Sequence, residues 1–438
     1  MTSWFRKTSG SPSSSRAGEG QFYYGWIVLA ILFVTGLISF GTRFSFGAFF
    51  EPLEEHFDWS RAQTSGIFSL YVVFTPLLAI LGGWALDRYG PRIVASFMGL
   101  FTGLSLLLTS QADSLWHLFL SYSLLMAIGT GPAFTLIIST TMRWFEKRRG
   151  LALGIASSGS SSGIIVMTPI SAYLIASYGW RVSYFIMAII AFLVIIPCAQ
   201  LLRKAPGRAI VLPEGEKKTK LDSPETKDHG EPKEFSLPQV VKSKNFWLLL
   251  TIWLLNAFCI YLIMAHLVRH AIDLGIPPMR GALILSIIGG GSIVGRLVMG
   301  RICDSIGLKR AFVIGSLLMA GAMLWLIGSS NLWMLYVFAI IFGFSYGSLV
   351  PPVTALIGSI FGMRHIGVIL GVLEIGWASG AACGSIFAGY IFDVTSNYTF
   401  AFLAGMIAML IVATLIFFVR VPAAKMGNEL TTGNSGTH

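Results

Sequence analysis

The stretch Gly289–Arg310, GGGSIVGRLVMGRICDSIGLKR, carries two different signals in one apolar run and the turn after it. Arg296 stands alone inside the apolar part. Behind it comes Gly300-x-x-x-Asp304-x-x-Gly307-x-Lys309, a turn built from glycine, aspartate and a basic residue. The same turn occurs upstream as Gly83-x-x-x-Asp87-x-x-Gly90-x-Arg92, displaced by 217 residues. That displacement also carries Gly150 onto Gly367, Gly154 onto Gly371 and Gly163 onto Gly380. Matches at one offset in two separate regions mark an internal duplication in parallel orientation. Arg296 maps onto Ala79, so the repeated scaffold does not require its charge.

Outward from this stretch, apolar runs long enough to cross a bilayer recur along the chain. Twelve are expected, at roughly 24–50, 61–84, 91–110, 115–142, 150–176, 180–202, 245–271, 280–301, 309–328, 332–360, 367–392 and 397–420. The fold class is an all-α membrane protein of twelve transmembrane helices in two parallel six-helix repeats. The halves are 24–202 and 245–420, joined by a Lys/Glu/Pro/Ser-rich linker over 203–244 that reads as solvated. A Ser/Gly-rich tail, 1–23, precedes them and a tail, 421–438, follows. No small-residue cleavage site follows the first run, so it reads as a retained span and not a signal peptide. Composition agrees: 55% of residues are hydrophobic and only 12% charged, about half the charged share of a soluble domain.

With the N-terminus inside, 25 of the 31 lysines and arginines fall in the tails and loops of the inner side, against four outside. This bias places both termini in the cytoplasm and accounts for the net charge of +11 without any nucleic-acid partner. The four cysteines lack paired spacing, so no disulfide or metal site is expected. No cofactor is implied. No nucleophile–base constellation stands out either, and the chain is not read as an enzyme.

The turns GWALDRYGPR and GRICDSIGLKR resemble the loop signatures of the major facilitator superfamily, which implies a carrier working by alternating access between its halves. In that fold Asp87 and Asp304 are expected to accept hydrogen bonds at a neighbouring helix N-terminus, or to pair with Arg88, Arg92, Lys309 or Arg310, as a cytoplasmic latch. Arg296 followed by Gly300 is similar to the span-8 arginine that binds the substrate carboxylate in monocarboxylate transporters and oxalate:formate antiporters. GWIVLAILFVTGLISFGTRFSFGAFFEPL, DWSRAQTS and MRWFEKRRGLALGIASSGS resemble bacterial members of the same branch. Two departures stand out. The acid that carries the coupling proton four residues before that arginine is replaced here by Ser292. The second cation that oxalate carriers place on span 11 has no counterpart, which favours a monoanion.

An arginine inside the membrane costs a few kcal/mol against lipid, so Arg296 is expected to face a polar cavity and an anion. Glu374, a lone acid on span 11, is expected to pair with Arg296 in the empty carrier, to take up a proton, or to serve a gate. Arg43 is expected to snorkel to the outer surface rather than touch substrate. His266 reads equally as a pH sensor or a hydrogen-bonded structural histidine. Ser158 and Ser292 are offered as polar lining, and Phe40, Tyr346 and Trp377 as apolar wall.

The leading expectation is a secondary carrier, working as a monomer in the cell membrane, that moves a small monocarboxylate such as lactate or pyruvate with a proton. The alternatives are an organic-anion exchanger, with a counter-anion in place of the proton, and a proton-coupled drug efflux carrier.

Overall fold

The computed structural model describes residues 16–146, 148–205 and 237–420. The calls on most of the N-terminal tail, most of the linker and the C-terminal tail lie outside these residues. The first helix, α1 (Arg16–Phe44), begins inside the stretch assigned to the tail and carries most of the first apolar run. It breaks at Ser45, whose Oγ donates to the Gly41 carbonyl, and the chain continues as α2 (Phe46–Phe57). The first span therefore reaches Phe57, beyond the expected end at 50.

Ser60 starts α3 (Arg61–Tyr89) with a capping box, its Oγ accepting from Gln63 N while Gln63 Oε1 accepts from Ser60 N. Gly90 stops α3 at φ 92 and Pro91 opens α4 (Pro91–Ser110). The fourth span comprises α5 (Leu115–Leu118), a π-helix (Phe119–Leu125), α6 (Met126–Thr130) and α7 (Ala133–Trp144). Ser105 Oγ donates to the Ser121 carbonyl within the π-segment, where the ordinary helical ladder is interrupted.

Next comes α8 (Arg149–Leu201), 53 residues without a loop. Gly179 lies outside helical space at φ 78, so the element is two spans meeting at one residue. Among the described residues eleven helices are long and apolar enough to cross a membrane, and the break at Gly179 makes them twelve crossings.

The second half opens with the short α9 (Leu237–Lys242), inside the stretch read as linker. It continues through α10 (Lys244–Asp273), α11 (Pro278–Ile306), α12 (Leu308–Ile327), α13 (Leu332–Phe361), α14 (Ile366–Thr395) and α15 (Thr399–Phe418). Gly307 ends α11 at φ 92, the value found at Gly90. Glycine occupies both turns because a Cβ is strained in that region.

The halves meet through α3 against α14 and α8 against α11, with α13 also on α8. Both main crossings are close enough that backbone meets backbone. A Cβ on Gly83 would stand 2.2 Å from the Gly367 carbonyl oxygen, and one on Gly300 would stand 2.6 Å from that of Gly150. These two backbone approaches lie at one end of the bundle. The loops there hold Arg88, Arg92, Arg143, Arg148, Lys309 and Arg310, and Asn245 Nδ2 donates to the Arg420 carbonyl. We call this end the basic face. Along its length α1 packs on α7 and α8 of its own half, and it shares no packed interface with α10.

Candidate functional site

Between the halves lies a cavity of about 950 Å³ that includes its mouth. Phe40, Arg43 and Phe44 of α1, Thr75 of α3, Phe134 of α7, and Ser160, Ser161 and Ile164 of α8 supply the first half's wall. The second half supplies Trp253, Asn256 and Tyr261 of α10, Arg296 of α11, Tyr346 of α13, and Glu374 and Trp377 of α14. Arg296 lies about 15 Å along α11 from its end at Ile306, and Glu374 about 12 Å along α14 from Ile366, at ~1.5 Å per residue. The wall is thus near mid-membrane.

Arg296 is only 4% exposed. Its Nη1 donates to the Ser157 carbonyl and to Ser160 Oγ, the latter at 2.6 Å, so it reaches from the second half into the first. The guanidinium carbon lies 5.6 Å from the Tyr346 ring centroid, and Nε has no hydrogen-bond partner. Among the described residues it meets no carboxylate. The expected pairing with Glu374 is absent.

Arg43 departs from expectation. Because the first span runs on through α2, Arg43 lies well short of the span's end and stays on the cavity wall. Its guanidinium stands over the rings of Phe44 and Tyr71, at 5.2 and 5.3 Å. Tyr122, carried by the π-segment, donates its hydroxyl to the Arg43 carbonyl at 3.3 Å.

Of the residues offered as substrate contacts, Arg296, Phe40, Tyr346 and Trp377 line the cavity. Ser158 and Ser292 do not. Ser158 Oγ donates back to the Gly154 carbonyl at 2.7 Å. Ser292, fully buried, donates to Ser161 Oγ at 2.8 Å and so ties α11 to α8 behind the wall. His266 also lies off the cavity, between the Tyr398 hydroxyl at 3.3 Å and the Ser385 carbonyl at 3.0 Å. The aromatic wall is contiguous: Trp253 lies 5.9 Å from both Phe134 and Trp377, and Tyr261 lies 6.4 Å from Trp377.

Toward the basic face the cavity ends at two aspartate caps. Asp87 of α3 accepts from Gly367 N and Val368 N at the start of α14, both at 3.2 Å. Asp304 of α11 accepts from Gly150 N and Leu151 N at the start of α8, at 2.8 and 3.2 Å. Adding 217 to Asp87 gives Asp304, and subtracting 217 from Gly367 and Val368 gives Gly150 and Leu151, so the repeat exchanges one carboxylate–helix pair for the other. Each carboxylate of one half thus occupies the electropositive N-terminus of a helix in the other.

The caps differ in one respect. Arg143 Nη2 contacts Asp87 Oδ1 at 2.5 Å and also the Met363 carbonyl at 3.1 Å. Its repeat equivalent is Ile360, so among the described residues Asp304 has no ion pair like that of Asp87. Arg88, one of the expected partners, instead lies over the rings of Trp84 and Tyr89. Nothing in the sequence singled out Arg143 for this role. It is one of four basic residues in its loop, and the repeat does not conserve it.

The description of the Major Facilitator Superfamily fits residues 32–311 and 271–435, which together take in both halves. The chain belongs to the major facilitator superfamily. It is similar to monocarboxylate transporter 13 of Rattus norvegicus, with 28% identity over 383 residues covering 86% of this chain and 85% of that protein. Monocarboxylate transporter 11 of Homo sapiens is 26% identical over 430 residues, covering 93% and 85%. The superfamily transporter FucP, crystallised in the outward conformation, superposes with a TM-score of 0.70 at 15% identity, over 91% of this chain and all of that one. The proton:xylose symporter XylE, bound to 6-bromo-6-deoxy-D-glucose, gives 0.68 at 14% identity, over 92% and 98%. At such identities the structural likeness concerns the fold. This superfamily member is a multi-pass membrane transporter related to monocarboxylate transporters, and not an enzyme.

Proposed function

We propose that the protein carries a small monocarboxylate of the lactate or pyruvate type across the cell membrane, together with a proton, by alternating access. One observation carries this reading: Arg296, almost wholly buried, stands on the cavity wall with no carboxylate partner among the described residues. A guanidinium held away from water is costly unless an anion compensates it. Its planar fork suits a carboxylate, which accepts two parallel hydrogen bonds. Phe40, Tyr346 and Trp377 offer apolar surface for the organic part, while Ser158 and Ser292 act from behind the wall.

The valence follows from the wall charges. Arg43 and Arg296 against Glu374 leave one net positive charge when Glu374 is ionised, which one monoanion cancels. Arg43 takes the place of the span-11 cation whose absence first favoured a monoanion, and Glu374 cancels it. The moving bodies are the halves 24–202 and 245–420, and the two aspartate caps are the latch that keeps the basic face shut. The basic face lies in the cytoplasm, with both termini, by the distribution of lysine and arginine. A single chain holds the whole cavity, which supports a monomeric carrier.

One observation favours exchange as the second reading. The position four before Arg296 is a fully buried serine committed to Ser161, so it offers no proton site beside Arg296. Drug efflux would need Arg296 turned away from a cavity ruled by Glu374, and Arg296 faces that cavity instead.

The test is uptake of labelled mono- and dicarboxylates by purified protein in liposomes, with and without a pH gradient. A monocarboxylate should accumulate when the outside is acidic, and Arg296→Ala should abolish this while still inserting. Normal uptake by that variant removes Arg296 from the site. Counterflow that needs internal substrate and ignores the gradient makes the protein an exchanger.

A further inference from the structure

Arg43 and Glu374 face the same cavity from opposite halves, one on α1 and the other on α14. They carry opposite charges, and neither forms an ion pair among the described residues. Arg43 leans on the aromatic faces of Phe44 and Tyr71, and its Nε is buried without a partner. Each is nonetheless among the charges that act most on the other. The helices that bear them are not bridged. The packed crossings between halves run through α3–α14, α8–α11 and α13–α8, whereas α1 stays on its own half.

We infer that Arg43 and Glu374 are a proton-operated pair across the cavity, closing into an ion pair when the mouth away from the basic face shuts on an empty cavity. The inference rests on the carrier reading above but concerns a different pair of residues from the Arg296 site.

The physical argument is one of compensation. Shutting the mouth removes water from Arg43 and Glu374, and two unpaired charges lose hydration that nothing returns. Paired, they satisfy each other and the empty carrier can close. A proton on Glu374 removes the pair and leaves Arg43 uncompensated, so the empty protonated carrier stays open. A substrate anion changes this. Its charge takes the place of the one Glu374 loses on protonation, so the loaded, protonated cavity carries the same net charge as the empty, ionised one and can close, and its repulsion from an ionised Glu374 is relieved by the proton. Anion and proton then favour each other's binding, and by linkage the effect is reciprocal. The charge movement is balanced: one proton and one monoanion enter together.

The other groups facing Glu374 are Tyr261 and the Trp253 indole on α10, while Arg296 on α11 and Tyr346 on α13 line the same cavity. Tyr71 on α3, Tyr122 on the π-segment and Tyr261 face Arg43. None of them is a second carboxylate. His266 and His270 are the histidines of α10, and His266 is held off the cavity by Tyr398 and Ser385.

The experiment reads the mouth directly, without substrate. A cysteine replacing Ile164 on the cavity wall is labelled by a membrane-impermeant maleimide applied from the side away from the basic face. The parent protein, labelled in parallel, corrects for its own cysteines and for the pH dependence of maleimide itself. The corrected rate should fall several-fold as pH rises, because ionised Glu374 pairs with Arg43 and shuts the mouth. Glu374→Gln and Arg43→Gln should each abolish this fall. The double exchange Arg43→Glu with Glu374→Arg should restore it, which a merely structural role would not. Arg296→Ala should keep the pH-dependent labelling while losing transport. A fall that persists in Glu374→Gln, or is absent in the Ile164→Cys protein, overturns the gate and leaves the Arg296 site standing. Transport retained by Arg296→Ala overturns that site and leaves the gate.

Discussion

Arg296 spends its hydrogen bonds on the first half of the molecule, on the Ser157 carbonyl and the Ser160 hydroxyl, and keeps Nε in reserve. A carboxylate bound there would compete with those serine contacts, so the proposed substrate binding would be linked to contact between the halves through one side chain. Lysine keeps the charge but not the fork. A charge-assisted hydrogen bond contributes about 1.5–3 kcal/mol, so Arg296→Lys should raise the half-saturating carboxylate concentration roughly tenfold to a hundredfold. Concentration dependence of uptake in liposomes measures this, and an unchanged value would mean that the fork is not used. Arg296 could be singled out in the sequence because a charge without a repeat copy stands out in an apolar run. Arg43 could not be placed correctly. Its depth depended on where the first span ends, and α2 extends that span with residues whose helical continuation past Ser45 is not marked by any local signal.

At the scale of single elements, α3 and α11 each present an aspartate to a helix start in the other half, and the two sites differ by one guanidinium. Replacing Asp87 with Asn removes one amide acceptor and also leaves Arg143 without its anion. Replacing Asp304 removes an amide acceptor and, in place of an ion pair, only a through-space attraction to Arg149. Asp87→Asn should therefore shift the population toward an open basic face more than Asp304→Asn, by about 1–3 kcal/mol. Labelling of a Val353→Cys variant from the basic face reads that population, and equal responses would show Arg143 to be idle. The repeated turns were evident in the sequence because Gly90 and Gly307 must adopt the same positive φ. The π-segment of the fourth span and the break at Gly179 were not. A π-helix has no residue signature in FLSYSLL, and a single glycine among 48 does not announce that two helices meet on it without a loop.

For the whole molecule, hydropathy and the 217-residue displacement were enough to read the twelve crossings and their pairing into halves. Which charges face one another across the cavity was not readable, because helix rotation about its own axis depends on packing partners from distant sequence. The distribution of lysine and arginine predicts the orientation in the membrane, with both termini inside. A reporter enzyme fused after the C-terminus should be active only in its cytoplasmic form, whereas a periplasmic or extracellular signal would reverse the assignment of the two faces.

The twofold relation between the caps has a consequence for assembly. An interface in which residue i meets j and the copy of j meets the copy of i is the kind that joins identical subunits in a symmetric dimer. The covalent linker between halves then acts mainly as a tether that raises the effective concentration of one half near the other. Two polypeptides, one ending and one starting within 206–236, should find each other in the membrane when co-expressed. A tag on either half should recover both, and Gly83→Leu, which forces α3 away from α14, should release the partner.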